Sequence, residues 1–559
     1  MPIPKFAQFL LRESPGALLL MVAAGLLSGA CSAGILAVIN RFLHQTDATG
    51  AILLGLFIAL VAGKVSCNAL SQFLLVRFAQ GTILDLSLAL CRRMTQAPLQ
   101  FLEKKGKADL LTTLTDDVSW VVWAIQCIPQ LVMNVAVLVG CGIYLAWLSW
   151  VTFLGVMLVT MLGALGYYLL HRRTFAVIHS AREARSALFD HFRSLTEGMK
   201  ELLMGQRRRE EFVDGAIRST ATEYRRINLL ATGNHALLEA WTQMLFYIMI
   251  GLLLFLFADL VNLPPESLTG YVFGMLYMMN PLWGLIGAFP TITRGQHALE
   301  KIEQLGISLN SIHAFAPDAR DSAGGIGRSS PLELKAVSFT YEEDQSGRPF
   351  TLGPLSFQLS PGEVVFVVGG NGSGKSTFVK VLTGLYAPQE GELWLGQRRV
   401  TPSGLEWYRE QFAVVFSDFF LFDTLFGIDV GDIESKGPGY LRMLHMDHKI
   451  RFTEQRFSSI DLSQGQRKRL ALVAAFLEDR SFYVFDEWAA DQDPQYKEIF
   501  YKELLPFLRG HGKGVVVITH DERYFHLGDR VVKLDEGKVV EAWQPGAGHE
   551  TPFFHSVKR

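Results

Sequence analysis

Six stretches of the chain are continuously apolar: residues 16–39, 51–79, 128–147, 151–170, 236–258 and 268–290. A helix needs about 20 apolar residues to cross a hydrocarbon core of ~30 Å, and each stretch approaches or exceeds that length. The pattern predicts six membrane-crossing helices, because the connections between them offer no comparable apolar surface in which a soluble fold could bury all six. The first stretch follows only two cationic residues, Lys5 and Arg12, and carries no convincing small-residue cleavage site, so it reads as a retained span and not a removed signal. Helical periodicity continues in polar sequence beyond the second and fourth spans, in LDLSLALCRRM at 84–94 and from Ala181 to Arg209. These segments are expected to project from the bilayer as helical extensions.

After residue 305 the pattern changes. Pro317, Gly324, Gly325, Gly327 and Pro331 stand among Ser and Asp, and 306–331 reads as a linker. From 332 to 559 short β-rich runs, VVFVV at 364–368, FYVF at 482–485 and VVVI at 515–518, alternate with helical segments. That alternation predicts an α/β domain with a largely parallel sheet, behind an all-α six-helix membrane domain at 1–305.

Composition supports this division: 49% of the 559 residues are hydrophobic and 19% charged, which argues against a wholly soluble protein. A net charge of -2, with no Lys/Arg run interleaved with aromatics, gives no support to a nucleic-acid partner. Positive charge is distributed unevenly. The segment 80–127 carries Arg92, Arg93, Lys104, Lys105 and Lys107, and 171–235 includes the run Arg207, Arg208, Arg209; the loop 259–267 has no Lys or Arg and 40–50 only Arg41. Because cationic loops stay in the cytoplasm, both termini and the α/β domain are expected there. The cysteines, Cys31, Cys67, Cys91, Cys127 and Cys141, show no CxxC spacing and read as buried thiols, not as metal ligands or disulfides.

Chemistry enters directly after VVFVV, in GGNGSGKST followed by the helical pattern FVKVLTGL. This is P-loop spacing in its strand–loop–helix context, and it predicts ATP or GTP binding. Gly370, Asn371, Gly372, Ser373, Gly374 and Thr377 would build the phosphate cradle, Lys375 would reach the terminal phosphates, and the Ser376 hydroxyl would ligate Mg²⁺. The strand SFYVFDE ends in two carboxylates: Asp486 is placed for Mg²⁺ and Glu487 to orient and deprotonate the attacking water.

Between these elements, LSQGQRKRLAL at 462–472 resembles the signature motif of the ATP-binding cassette family, which other P-loop proteins lack. The resemblance implies that Ser463, Gly465 and Gln466 bind the γ-phosphate of a nucleotide held by a second subunit, so a homodimer is expected. It further implies that Tyr341 stacks on adenine, that Asp493 lies in the loop joining two cassettes, and that His520 is the γ-phosphate switch. Two positions depart from the family pattern. Gln464 replaces the usual second glycine of the signature, and Ser417, in VVFSDFFLF, stands where a glutamine normally senses Mg²⁺; Asp418 is the neighbouring group expected to substitute at the metal. The membrane half resembles type I exporters, with APLQFLEKKGKADLLTTLTDDV at 97–118 and EGMKELLMGQ at 197–206 at the positions of coupling helices. More narrowly, GGNGSGKST, VFSDFFLF, LSQGQRKR, DEWAADQDP and HDERYF resemble the bacterial cyclic-peptide exporter subfamily, which includes exporters of lipodepsipeptides, of a lasso-peptide microcin and of a pyoverdine siderophore precursor. That resemblance implies an inner-membrane exporter of a peptide-derived cargo; no peptidase segment precedes the first span, which disfavours a leader-cleaving exporter. A lipid or multidrug exporter is the alternative within transport, and an ATP-dependent membrane regulator or sensor the alternative outside it.

Polar residues recur at helical spacing inside the spans. Lys64, Asn68 and Gln72 fall at i, i+4 and i+8, and Gln126, Gln130 and Asn134 repeat the pattern in the third span. A cation near mid-bilayer costs about 2.5–3.5 kcal/mol on insertion scales, so Lys64 is expected to face a water-filled cavity or a partner. Two readings stay open: a stripe lining a cargo cavity, or hydrogen bonds between helices.

Overall fold

The computed structural model describes residues 15–44, 50–261, 263–304, 330–341 and 350–545. The expected linker lies outside them apart from its last two positions, as do Lys5 and Arg12. Residues up to Gln96 and from Lys107 to Gln304 form one compact unit, and Ala97–Gly106 group with the residues from 330 onward in a second.

Among the described residues of the first unit, six helices are long and apolar enough to cross a membrane. They are α1 (Pro15–His44), α2 (Gly50–Gln96), α3 (Lys107–Leu148), α4 (Trp150–Glu197), α5 (Gln206–Phe257) and α6 (Pro265–Gln304). With 47 and 48 residues, α2 and α4 are about 70 Å long, more than twice a hydrocarbon core. The extension of α2 through 84–94 is unbroken. That of α4 is not: it stops at Glu197, Met199–Leu203 forms a separate short helix, and extended Gly205 precedes α5. Gly198 and Gly205 flank the short helix, and glycine is the weakest helix former after proline.

Small residues let the spans approach closely. A β-carbon at Gly29 of α1 would come 2.8 Å from Cβ of Ala136 in α3, and one at Gly163 of α4 would come 2.7 Å from a methyl of Leu245 in α5. Tyr271 of α6 is fully buried, and its hydroxyl lies 2.7 Å from the carbonyls of Leu145 and Ser149, fixing α6 against the α3–α4 turn.

In the second unit the strands are β1 (Leu332–Thr340), β2 (Thr351–Leu359), β3 (Val364–Val368), β4 (Glu390–Leu395), β5 (Arg398–Arg399), β6 (Phe412–Val415), β7 (Phe452–Thr453), β8 (Arg456–Phe457), β9 (Phe482–Asp486), β10 (Gly514–Ile518), β11 (Arg530–Asp535) and β12 (Lys538–Trp543). The predicted α/β domain with a largely parallel sheet forms as a six-stranded sheet of order β12-β11-β3-β10-β9-β6, in which only β12 is antiparallel. A four-stranded antiparallel sheet, β2-β1-β4-β5, lies beside it. Strands β3, β9 and β10 are buried at every position, as continuous apolar runs in a covered parallel sheet should be. The helices that matter for the site are α7 (Lys375–Leu382), α8 (Val430–Met443) and α9 (Gln464–Glu478). The short helix Leu99–Lys105, within the first expected coupling segment, belongs to this unit: Leu99 packs on its apolar core, and Glu103 accepts hydrogen bonds from Lys380 at 2.8 Å and from the Tyr386 hydroxyl.

Candidate nucleotide-binding and hydrolysis site

Between β3 and α7 the chain turns with Gly372 at φ +79° and Gly374 at φ +100°, in the left-handed region that side chains disfavour. At Gly374 a β-carbon would also lie 2.8 Å from the Phe350 ring. Lys375 opens α7 and is buried; its ammonium donates to the carbonyls of Gly369 at 2.9 Å and Gly370 at 3.0 Å, which holds it over the turn. The Ser373 hydroxyl is buried without a protein partner, while Asn371 and Ser376 are exposed. Thr377 is buried 3.3 Å from the Tyr341 hydroxyl, and the Tyr341 ring packs against Phe339 and Tyr386. A glycine turn, a helix start, a lysine and an unpartnered buried hydroxyl together fit a phosphate chain.

In the sheet β10 separates β3 from β9, so the chemistry after β9 emerges two strands from the P-loop, at the carboxyl ends where α/β sheets bind ligands. Asp486 is buried and accepts a hydrogen bond from the Ser417 hydroxyl at 3.1 Å. Burial pushes its carboxyl up from the ordinary value; the charges of Glu487 and Asp418 add to this and the Ser417 hydrogen bond opposes it. A buried carboxylate of this kind, with the Ser376 hydroxyl, suits Mg²⁺, which when bound would neutralise phosphate charge. Glu487 takes a left-handed backbone, φ +51°, and its amide donates to the Ile518 carbonyl at 3.1 Å. Its carboxylate lies 3.4 Å from Nε2 of His520, so the expected base and switch are brought together.

Asp418 is exposed and lines a cleft of about 360 Å³ with Phe420, Gln464 and Arg467; the bond to Asp486 is made by Ser417. A hydrogen bond to a charged group contributes about 1.5–3 kcal/mol, so Ser417→Ala should lower hydrolysis roughly tenfold at limiting Mg²⁺. Asp418→Ala should stay within about twofold. Titrating ATPase rate against Mg²⁺ separates them, and a larger loss in Asp418→Ala would return the role to Asp418.

Ser463 caps α9: its hydroxyl accepts from the Gln466 amide at 3.4 Å while Oε1 of Gln466 accepts from the Ser463 amide at 3.3 Å, a reciprocal capping box. The Gly465 carbonyl accepts from Gln492 at 3.1 Å. Asp493 takes the cap position of the helix Pro494–Ile499. Among the described residues no hydrogen bond or ion pair joins the 463–466 turn to the P-loop of the same chain. Sequence reasoning missed Lys468, which sits in the run Arg467, Lys468, Arg469 and reads as a solvated face; its side chain is 2% exposed and contacts the loop after β9.

Residues 16–282 match the ABC transporter transmembrane region and residues 352–490 the ABC transporter family. The ATP-binding protein SyrD of Pseudomonas syringae pv. syringae is 35% identical over 92% of this chain and 92% of its own length. ATP-dependent lipid A-core flippases are 24% identical, that of Alkalilimnicola ehrlichii over 84% of this chain and 80% of its own length, and that of Burkholderia pseudomallei over 93% and 90%. Matched in both halves, and along nearly its whole length by SyrD, the chain belongs to the ABC transporter family: a multi-pass membrane exporter whose cassette hydrolyses ATP to drive transport.

Proposed function

We propose that the protein works as a homodimer in the inner membrane of a bacterium, with its termini and cassettes cytoplasmic, and exports a cyclic or otherwise modified peptide or siderophore precursor to the periplasm. One observation carries the dimer: each chain holds one P-loop and one signature turn, and the signature turn makes no bond to its own P-loop among the described residues. Two chains facing each other in two-fold symmetry would supply both elements to each of two ATP molecules. Within each site Lys375 and the glycine turn hold phosphate, Ser376 and Asp486 hold Mg²⁺, Glu487 aligns and deprotonates water, and His520 steadies Glu487.

Cargo class rests on the motif resemblance, DEWAADQDP above all, and on a polar seam in the bundle. Lys64 of α2 donates to the Tyr277 hydroxyl of α6 and lies 5.0 Å from the centre of that ring. Gln72 donates to Gln130 at 3.4 Å, and Gln130 to Asn134 at 3.3 Å; the Asn134 amide nitrogen is buried without a partner. Asn68 and Gln72 remain exposed. The seam thus supplies bonds between helices and also leaves amides and a cation to meet an amide-rich, acidic cargo. Lys64→Met should cut transport of such a cargo about tenfold, one charged contact's worth. Tyr277→Phe keeps the ring and removes the acceptor, and should cost less; a thermal melt on each variant reports whether the bundle still folds. Equal transport by Lys64→Met and wild type would assign Lys64 to structure.

Reconstituted vesicles test the whole reading: inside-out orientation, added ATP and a labelled cyclic peptide should give ATP-dependent accumulation. Lipid translocation instead of peptide uptake would favour the second reading, which the lipid A-core flippase relatives at 24% identity support. Nucleotide-dependent partner binding with no flux would favour a regulator.

A further inference from the structure

In HDERYF the ring of His520 is exposed, yet the turn that carries it is tied down at both ends. Before it, the Ile518 carbonyl accepts the Glu487 amide at 3.1 Å and the Thr519 amide donates to Val367 of β3 at 3.3 Å. Glu487 and His520 therefore hang from the same few residues at the end of β10. Thr519 is buried, and its hydroxyl bonds twice. It accepts from the Asp521 amide at 3.0 Å, closing the turn around His520, and lies 2.7 Å from the Tyr501 hydroxyl. Tyr501, in the helical stretch Phe500–Leu504, is fully buried; burial pushes its phenol up to about 12, against the opposing effect of the Thr519 bond, so it keeps its proton at neutral pH. Beyond His520, the Asp521 carboxylate accepts Nε and Nη2 of Arg523 at 2.8 Å each, a bidentate pair. That guanidinium lies 5.6 Å from the centre of the Tyr524 ring, and Tyr524 stacks on Tyr501 at 4.1 Å with the planes 10° apart. The circuit from Thr519 through Tyr501, Tyr524, Arg523 and Asp521 back to Thr519 is closed, with His520 inside it.

An exposed imidazole on a loose loop would sample many orientations, and a displacement of about 1 Å in a reacting constellation can cost on the order of 10²-fold in rate. We infer that Tyr501 and Tyr524 are positioning residues for hydrolysis: their stack, acting through the Thr519 hydroxyl, holds the turn that aims His520 at Glu487. This rests on the role given to His520 in the proposed function. Neither tyrosine touches the P-loop lysine or the glycine turn among the described contacts, so their loss should act on turnover and not on nucleotide binding.

Phosphate release by the full-length protein in lipid nanodiscs provides the test, with binding of a fluorescent ATP analogue and the melting midpoint measured on each variant. Tyr501→Phe keeps the ring and its stack and removes the hydroxyl; kcat should fall about fivefold, the worth of one neutral hydrogen bond, while nucleotide affinity stays within about twofold. Tyr524→Leu, which loses the stack, should fall at least as far, and Tyr524→Phe, which keeps it, should return to the wild-type rate. In a His520→Ala background, itself slow, Tyr501→Phe should cost no further rate, because the group it aims is gone. A further fivefold loss in that background, losses that track the melting midpoint, Tyr501→Phe at the wild-type rate, or Tyr524→Phe as slow as Tyr524→Leu would each overturn the positioning role. Should Tyr501→Phe not fold, Thr519→Val removes the same bond from its other end and serves in the same measurements. Failure of the underlying reading is seen separately: His520→Ala at the wild-type rate would remove His520 from hydrolysis, whatever the tyrosines do.

Discussion

Replacing Glu487 by glutamine is expected to leave ATP binding within about twofold of wild type and to lower steady-state hydrolysis by about 10²- to 10⁴-fold, the usual contribution of a positioned general base. The amide matches the carboxylate in shape, and the side chain is aimed by the backbone. Glu487 holds φ +51°, a conformation that costs a non-glycine residue on the order of 1 kcal/mol or more, and its peptide N–H is tied to Ile518 at 3.1 Å. Neither constraint depends on the carboxylate, so the variant keeps its geometry and its reach to Nε2 of His520, 3.4 Å away in the wild type. What disappears is the basic oxygen. The residues proposed to hold phosphate, Lys375 and the glycine turn, are separate from Glu487, which explains why affinity should survive. A fluorescent nucleotide reads binding and phosphate release reads turnover; turnover equal to wild type would remove Glu487 from the role.

How legible the protein is from sequence depends on how local each feature is. The spans are written as apolar length, and the P-loop as nine consecutive residues between a strand and a helix, so both can be read without tertiary information. The break in the extension of the fourth span is local too, at Gly198 and Gly205, but the helical periodicity that runs on to Arg209 hides it. Lys64 is readable as a cation needing a partner, but Tyr277 lies 213 residues away and no periodicity connects them. Ser417 is readable as a missing glutamine; its bond to Asp486 spans 69 residues and depends on β6 pairing in parallel with β9. Lys468 is illegible for a stronger reason: three consecutive cations on a helix read as solvent-facing, yet Lys468 is buried under the 488–492 loop and Arg469 against the Tyr496 ring. Its interest lies there, because burying a cation is costly enough that the fold must hold its partners in place.

Chains carrying Lys375→Ala and chains carrying Ser463→Arg should each be inactive alone and should regain hydrolysis when mixed. The reason is symmetry. In a mixed dimer the intact P-loop of the Ser463→Arg chain faces the intact signature of the Lys375→Ala chain, giving one whole site, while the other site lacks both elements. Random pairing makes about half the dimers mixed, so independent sites would restore about a quarter of the wild-type rate. Both variants act locally: the Lys375 ammonium bonds to the turn of its own P-loop, at 2.9 and 3.0 Å, and the Ser463 cap lies at the exposed start of α9. The existence of recovery therefore measures sharing of the sites between chains. Phosphate release by the two parents and by the mixture, at matched total protein, reads it; a mixture as silent as its parents, with dimers confirmed by tandem affinity capture, would mean that the sites are not shared between chains.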